Sequence, residues 1–227
     1  MLRRILLAGI FLLASTTHAE TVAVIGTGNV GMALGTEFAG LGHTVVYGSR
    51  APDSEKTQAL VDKTGNASAA LPGEAAGQAD VIVLAVPGMV TESVVKALPD
   101  LSGKIIIDAT NPLIFTGNPP TVTYGTDRSQ GEIVQEAHPD AFVVKAFNTI
   151  GWPLMIDPPV PAPVIPLAGE DATAKKQVAE WVRAMGIDTI DVGGIYHARV
   201  TEHMVVMMLN NNFSGTEKFD VVFQRRD

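Results

Sequence analysis

Residues 21–50 constrain the fold of this chain more than any other stretch. Thr21–Ile25 is β-branched and apolar, which is typical of a strand buried on both faces. A turn with the spacing Gly-x-Gly-x-x-Gly follows, and apolar residues then recur at helical spacing as far as Gly40. Residues 44–47 have the composition of a second strand. The stretch therefore predicts a strand, a glycine turn, a helix and a second strand in succession.

The glycine turn, Gly26-Thr27-Gly28-Asn29-Val30-Gly31, predicts a dinucleotide site. In this spacing Gly26 makes the tight turn, Gly28 lets a pyrophosphate approach the backbone, and Gly31 lets the helix pack closely on the strand. The free N–H groups and the positive dipole end of the helix would face the phosphates. The strand before the turn, and the helix and strand after it, favour cofactor binding over a purely structural turn.

The end of the second strand, Gly48-Ser49-Arg50, indicates which dinucleotide is bound. An NAD enzyme normally has Asp or Glu there to bind the ribose 2′-hydroxyl, and this chain has neither. A guanidinium and a hydroxyl suit a 2′-phosphate, which a carboxylate would repel. Lys56 is a second cation that could take part. The sequence therefore predicts NADP, against the alternative that Arg50 is only a solvated residue at a strand end.

Composition excludes several classes of function. The chain has 227 residues, of which 46% are hydrophobic and 18% are charged, enough for one well-buried domain. Its formal net charge of −8, without a basic patch, argues against nucleic acid as a partner. The absence of Cys excludes disulfides, thiolate metal sites and Cys nucleophiles. The His residues lack the spacing of metal ligands, so no metal site is expected.

Residues 1–19 have the order of an export signal. Arg3 and Arg4 precede an apolar run, and Thr17-His18-Ala19 places small residues where signal peptidase needs them. The apolar run is about half of the ~20 residues needed to span a bilayer, which favours a cleavable signal over a membrane helix. We expect cleavage after Ala19, a mature domain of residues 20–227 without a membrane span, and a periplasmic or otherwise exported protein. The secretory route and, because of the paired arginines, the twin-arginine route are both open.

Strands and helices continue to alternate along the rest of the chain. Further strands are predicted at residues 67–70, 81–86, 105–108, 143–148, 164–168 and 187–192. Further helices are predicted at residues 54–64 (capped by Asp53), from Pro72, and at residues 92–98, 172–185 and 197–209. These elements predict one Rossmann-type α/β domain with a doubly wound, mainly parallel sheet and helices on both faces. The last helix is apolar on most sides and could belong to the core or to the contact in a homodimer.

Ligands of doubly wound sheets bind beyond the carboxyl ends of the strands. The loops at residues 85–88 and 110–113 should therefore line the site. Asn111 and Asn148 come at strand ends, where each could bond the nicotinamide or a second ring, or could only stabilise a turn. The residues expected to bind the cofactor are Gly26, Thr27, Gly28, Asn29, Val30, Gly31, Ser49, Arg50, Lys56, Ala85, Val86, Pro87, Asn111 and Asn148.

Several segments of the chain resemble the NADPH-dependent reductases of the deazaflavin coenzyme F420. They are VIGTGNVGMALGTEFAGLGHTVVYGSR, IIDATNPL, VVKAFNTI, LAGEDATAKKQVAEWVRAMG and the pattern DVG-x-x-x-x-AR-x-x-E. The resemblance implies an NADP-dependent oxidoreductase in which Gly-Ser-Arg binds the 2′-phosphate. It extends to the related NADPH domains of ferric reductases. Pyrroline-5-carboxylate reductases are disfavoured because their helical dimerisation domain has no counterpart in this chain.

Hydride transfer between two ring cofactors needs stacking, distance and orientation more than a protein acid or base. No side chain is therefore assigned a catalytic role. Two functions stay open. One is an NADPH-dependent oxidoreductase whose small-molecule redox acceptor is F420 or a flavin, and the other is a non-catalytic NADP-binding or sensing protein.

Overall fold

The computed structural model describes residues 19–116, 120–214 and 223 of the chain. Apart from Ala19, the predicted export signal lies outside the described residues. Within them, no helix is both long enough and apolar enough to cross a membrane.

The described residues form ten strands and eight α-helices, numbered here in chain order. The strands are β1 (Thr21–Ile25), β2 (Thr44–Gly48), β3 (Ala67–Ala70), β4 (Val81–Leu84), β5 (Ile105–Asp108), β6 (Leu113–Ile114), β7 (Thr121–Val122), β8 (Phe142–Lys145), β9 (Val164–Ala168) and β10 (Asp188–Gly193). The helices are α1 (Asn29–Gly40), α2 (Glu55–Thr64), α3 (Pro72–Gly77), α4 (Gly88–Lys96), α5 (Gln130–Ala137), α6 (Trp152–Ile156), α7 (Ala172–Ala184) and α8 (Ala198–Ser214). A 3₁₀ turn, Ile195–His197, precedes α8.

Eight of the strands form one sheet in the order β10-β9-β8-β5-β4-β1-β2-β3. All neighbours from β3 to β8 are parallel. Strand β9 is antiparallel to β8, and β10 is parallel to β9, so the sheet is mainly rather than wholly parallel. Strands β6 and β7 form a separate antiparallel hairpin. The predicted doubly wound, single-domain α/β fold is confirmed.

The central strands are buried on both faces because helices cover each side of the sheet. Val22 and Val24 of β1 belong to the apolar cluster that includes residues of α1 and α7. Ala23 and Ile25 belong to the opposite cluster, which includes residues of α3, α4 and α5. Alternate residues of one strand thus face opposite layers, and both layers are apolar. This arrangement is the reason that the strand sequence is an unbroken apolar run.

The carboxyl ends of β1, β2, β4, β5 and β8 lie along one edge of the sheet, hereafter the cleft edge, because these five strands are parallel. In a doubly wound sheet the two halves of the chain wind away from β1 and β4 in opposite directions. The loops on either side of that point leave a crevice at the cleft edge. The fold therefore places every loop that the sequence assigns to the site at the same edge.

The predicted starts of α2 and α4 differ from those of the structure. Helix α2 is capped by Ser54, whose Oγ accepts a hydrogen bond from the amide of Thr57 over 3.3 Å, so the prediction that Asp53 is the cap is wrong. Helix α4 begins at Gly88, four residues before the predicted start, directly after Pro87. Pro fixes the φ angle suited to a helix start, which favours the earlier beginning.

Two predicted strands are too long. The strands predicted at residues 81–86 and 143–148 leave the sheet at Leu84 and Lys145. The residues that follow are still partly or fully buried, because the loops at the cleft edge pack on the core. In these two segments, apolar residues therefore indicate burial but do not show where strand pairing ends.

Helix α8 belongs to the core along one face only. Ala198 and Val205 are buried, whereas Val200 and Met207 are 59% and 49% exposed. Of the two predicted roles for this helix, the contribution to the core is confirmed. The contact in a homodimer stays a prediction.

Candidate cofactor site

The glycine turn after β1 is closed to side chains at two positions and open at the third. Gly26 has a φ of 119°, and a Cβ there would overlap the carbonyl oxygen of Ala85. A Cβ at Gly31 would overlap the carbonyl oxygen of Gly26, so α1 packs directly on the turn. A Cβ at Gly28 would meet nothing within 4 Å. The open position is the one at which the sequence predicts the pyrophosphate.

The first turn of α1 offers backbone N–H groups to an anion. Gly28 is its N-cap, no side chain caps this end, and no acidic residue lies in the first turn. By contrast, the side chains of Ser54, Ser129 and Asp171 cap α2, α5 and α7. The first N–H groups of a helix need an acceptor, and a bound phosphate would supply one. The other fingerprint residues in or beside this turn are Thr27, Asn29 and Val30.

The end of β2 lies beside the glycine turn, because the amide of Gly26 donates to the carbonyl oxygen of Gly48 over 3.0 Å. Ser49 is 7% exposed, and its Oγ lies 3.2 Å from Oγ1 of Thr57. Ser49 therefore fastens the strand end to α2. Arg50 is exposed, so its guanidinium can reach a ligand at this end of the cleft edge.

The two cations predicted to bind a 2′-phosphate are placed differently. Arg50 directly follows the buried Ser49, so the backbone that carries it is fixed. Lys56 is exposed in the first turn of α2, next to the acidic Glu55. Arg50 is therefore the better placed of the two, and a role for Lys56 stays a prediction.

The loop of residues 85–87 joins the glycine turn to the loop after β5. At its start, the backbone of Ala85 packs so closely on Gly26 that no Cβ fits there. At its end, a Cβ on Gly88 would overlap the carbonyl oxygen of Asn111. The loops that the sequence predicts to line the site are thus in direct contact along the cleft edge.

Asn111 and Asn148 bond to each other across the cleft edge. Nδ2 of Asn111 donates to the backbone oxygen of Asn148 over 3.0 Å, and Nδ2 of Asn148 donates to Oδ1 of Asn111 over 3.1 Å. Asn148 is 4% exposed, and its Oδ1 has no hydrogen-bond partner among the described residues. The preceding Phe147 has a φ of 63°, a left-handed conformation uncommon outside glycine. The pair stabilises the turns and leaves one buried acceptor unused.

Three charged side chains that carry no predicted role meet beneath these loops. Nζ of Lys145 lies 2.9 Å from Oδ2 of Asp108 and 2.7 Å from Oε1 of Glu202. Each of the three residues is at most 1% exposed. Asp108 and Lys145 end the neighbouring strands β5 and β8, whereas Glu202 comes from α8. They are hereafter the buried triad.

Burial and charge act in opposite directions within the buried triad. Burial raises the pKa of Glu202, and the nearby ammonium of Lys145 opposes this rise only in part. Burial alone would lower the pKa of Lys145, but its two carboxylate partners raise that pKa above the ordinary value. The ammonium therefore stays protonated, and two carboxylates share it.

One sequence signal points to part of the triad. Asp108 and Lys145 are opposite charges at the ends of two strands that are otherwise apolar, and the ends of neighbouring parallel strands meet. Glu202 is the last residue of the DVG-x-x-x-x-AR-x-x-E pattern, but that pattern does not show that α8 returns this residue to the sheet. The prediction that the site needs no catalytic side chain is compatible with the triad, whose members are buried and paired.

The residues of the cleft edge fit NADP. The turn has open space at Gly28 for a pyrophosphate, the first turn of α1 has no side-chain cap, and Arg50 is exposed at the end of β2. These features are the ones that hold the phosphates of a dinucleotide in a Rossmann fold.

Comparison with known proteins identifies the family. Residues 21–112 match the family described as NADP oxidoreductase, coenzyme F420-dependent. The structure is also similar to the crystal structure of a candidate F420-dependent NADP reductase from Arthrobacter sp. FB24. That similarity has a TM-score of 0.84 and 32% sequence identity, and it covers 91% of this chain and 100% of the other. The chain belongs to this family of NADP oxidoreductases.

Two further relatives of this NADP oxidoreductase differ in the acceptor that their names state. The F420-dependent NADP reductase of Methanothermobacter thermautotrophicus is 29% identical over 208 residues, which cover 84% of this chain and 88% of the relative. The metalloreductase STEAP3 of Rattus norvegicus is 31% identical over 193 residues, which cover 85% of this chain but 38% of the relative. The chain thus spans less than half the length of the metalloreductase.

Proposed function

We propose that this protein transfers hydride from NADPH to a small acceptor with a flavin-like ring, either the deazaflavin F420 or a flavin. The observation that carries the proposal is the arrangement at the ends of β1 and β2. There the glycine turn has open space at Gly28, and the start of α1 has no side-chain cap. The exposed Arg50 lies beside them, and the Gly48-Ser49-Arg50 segment contains no carboxylate. Membership of a family of NADP oxidoreductases supports the choice of cofactor.

In this proposal the residues of the chain bind and orient the cofactor. The N–H groups at the start of α1 hold the pyrophosphate, and the guanidinium of Arg50 holds the 2′-phosphate. When bound, NADPH supplies the hydride. The loops that carry Asn111 and Asn148 form the nicotinamide side of the cleft.

The ionisable residue at the end of β5 is not placed to protonate an acceptor. Asp108 is fully buried and is paired with Lys145 over 2.9 Å. An acid that cannot reach the substrate cannot act as its proton donor. The geometry therefore suits transfer between two rings, which depends on orientation.

The oxidation of NADPH, followed by its near-ultraviolet absorbance, tests the proposal with F420, FMN, riboflavin and ferric chelates as acceptors. We expect turnover with F420 or with a flavin. Gly28→Val should abolish it, because the side chain would occupy the space predicted for the pyrophosphate. Gly40→Val is the matched control, since a Cβ there also meets nothing within 4 Å but lies at the other end of α1.

Other outcomes would redirect the proposal. Oxidation with ferric chelates alone would assign a different acceptor. Binding of NADPH without oxidation by any acceptor would favour the alternative, a non-catalytic NADP-binding or sensing protein. Equal loss of activity in Gly28→Val and Gly40→Val would contradict the proposed position of the pyrophosphate.

We propose in addition that the protein is exported and that a peptidase cleaves it after Ala19. Support comes from the order of basic, apolar and small residues at positions 1–19. Mass spectrometry of a periplasmic extract should then find Glu20 as the first residue. An intact Met1 on protein recovered from the cytoplasm would contradict export.

A further inference from the structure

The buried triad binds every polar group of one residue at the cleft edge, Thr110. The amide and Oγ1 of Thr110 donate to Oδ1 of Asp108 over 2.9 and 2.6 Å. The carbonyl oxygen of Thr110 accepts from Nζ of Lys145 over 2.6 Å. Thr110 itself is 2% exposed. Two members of the triad thus fix the backbone and the side chain of this residue.

The third member, Glu202, attaches two helices to the same point. One carboxylate oxygen accepts from Lys145 over 2.7 Å and from the amide of Gly131 over 3.1 Å. The other oxygen accepts from the amide of Gln130 over 2.9 Å. Gln130 and Gly131 are the first residues of α5, where a carboxylate is favoured by the free N–H groups and the helix dipole. The triad therefore joins β5, β8, α5 and α8.

Both loops on the nicotinamide side of the cleft depend on this cluster. Thr110 is followed directly by Asn111, and Asn148 comes three residues after Lys145. The two Asn side chains bond to each other, so the triad holds the start of each loop and the other loop holds its Asn residue. A displacement of the start of either loop would leave a buried charge without its partner, which is strongly unfavourable.

We propose that the buried triad is a positioning unit that fixes the Thr110-Asn111 segment against Asn148 and so shapes the nicotinamide side of the cleft. The inference rests on the proposed NADPH-dependent function. The cofactor site then has two halves. The glycine turn and Arg50 bind the adenine half at β1 and β2, whereas the triad acts at β5 and β8, on the other side of β4.

Two binding measurements on the full chain test this division. The probes are NADPH and 2′,5′-ADP, which has the adenine half but no nicotinamide. Glu202→Gln keeps the side-chain volume and replaces one acceptor oxygen by a donor, and Thr110→Val removes only the hydroxyl donor to Asp108. We expect each variant to weaken NADPH binding by about 5- to 10-fold and to leave the dissociation constant for 2′,5′-ADP within about 2-fold.

Lys175→Met is the matched control. Lys175 is 8% exposed and is paired with Asp191 over 2.7 Å, but it lies beside β10 at the far edge of the sheet. Its replacement should leave both dissociation constants unchanged. If Glu202→Gln does not fold, Thr110→Val still decides the question, because it keeps all three charges.

The outcomes separate this inference from the proposed function. Equal weakening of both probes in the triad variants would show a general structural role and overturn the positioning role. Unchanged binding of both probes would overturn it as well. Failure of the unmodified chain to bind NADPH would instead overturn the proposed function, and the inference with it.

Discussion

Gly28 and Gly31 lie in the same turn, but a side chain would have opposite consequences at the two positions. At Gly31 it would overlap the carbonyl oxygen of Gly26, which is part of the fold. At Gly28 it would enter open space, which the proposed function assigns to the pyrophosphate. One glycine is therefore required by packing and the other by the ligand.

This difference predicts how stability responds to replacement. Gly31→Ala should destabilise the protein by about 1–3 kcal/mol, because the backbone of α1 must move away from the turn. Gly28→Ala should change the free energy of unfolding by less than about 0.5 kcal/mol. Urea unfolding of the two variants measures both values. Equal destabilisation would show that Gly28 is also a packing residue.

His43 is buried among apolar side chains, and its protonation destabilises the folded protein. It is 2% exposed, and its ring meets those of Phe38 and Trp181 edge-on at centroid distances of 5.7 and 5.8 Å. Its Nδ1 accepts a hydrogen bond from the amide of Glu20 over 3.1 Å, and a carboxylate oxygen of Glu20 lies 3.9 Å away. Burial lowers the pKa of His43 from its ordinary 6.5.

The sign of the pH dependence follows from this shift. When the folded pKa is below the unfolded value, the unfolded chain takes up the proton first, so stability is present above pH 6.5 and is lost as pH falls through the folded pKa. We expect the wild-type protein to lose more stability than His43→Gln between about pH 7 and pH 5. Parallel unfolding curves for the two proteins would contradict this prediction.

At the scale of elements, the start of α1 differs from the starts of α2, α5 and α7. The side chains of Ser54, Ser129 and Asp171 each accept one N–H group in the first turn of α2, α5 and α7. The starts of α1, α4 and α6 have no side-chain cap. Of these three, α1 is the one that follows the glycine fingerprint, and this combination supports the proposed position of the phosphates.

The corrected cap of α2 gives a direct test at this scale. Ser54→Ala should destabilise the protein by about 0.5–2 kcal/mol, because the amide of Thr57 loses its acceptor. Asp53→Ala, one residue earlier, is the matched control and should have a smaller effect. Denaturant unfolding measures both. A larger loss in Asp53→Ala would restore the cap that the sequence alone predicts.

The bounds of several short strands could be predicted from the sequence. The predicted bounds of β1, β3, β5 and β9 are those of the structure, because each is a short, mostly small or β-branched run between turn residues. The start of α7 is also confirmed. Local pattern is sufficient where turn residues bound the strand, whereas β4 and β8 continue into loops that are also partly or fully buried.

The missed elements depend on longer-range contacts or on signals that are short. Helix α5 follows Ser129-x-x-Glu132, which is a capping-box sequence, but only eight helical residues follow it. The hairpin of β6 and β7 has two residues in each strand, too few for any periodicity. The buried triad requires Glu202 to return from α8 to the end of β8, and no local pattern contains that contact.

At the scale of the whole molecule, the formal net charge is −8, with 16 Lys and Arg against 24 Asp and Glu. A cofactor with several phosphates must therefore bind through local positive potential, from the start of α1 and from Arg50. Because the surrounding charge is unfavourable, the loss of Arg50 should not be compensated by the rest of the surface.

The central claim is that this protein uses NADPH through a 2′-phosphate contact at the end of β2. The most direct test is the affinity for NADPH and for NADH of the wild-type protein and of Arg50→Ala, with Lys176→Ala on the exposed surface of α7 as the control. We expect the wild type to prefer NADPH, and Arg50→Ala to weaken NADPH binding by about 10- to 100-fold while NADH binding stays nearly unchanged. Equal affinity of the wild type for the two cofactors, or equal losses for both in Arg50→Ala, would contradict the account.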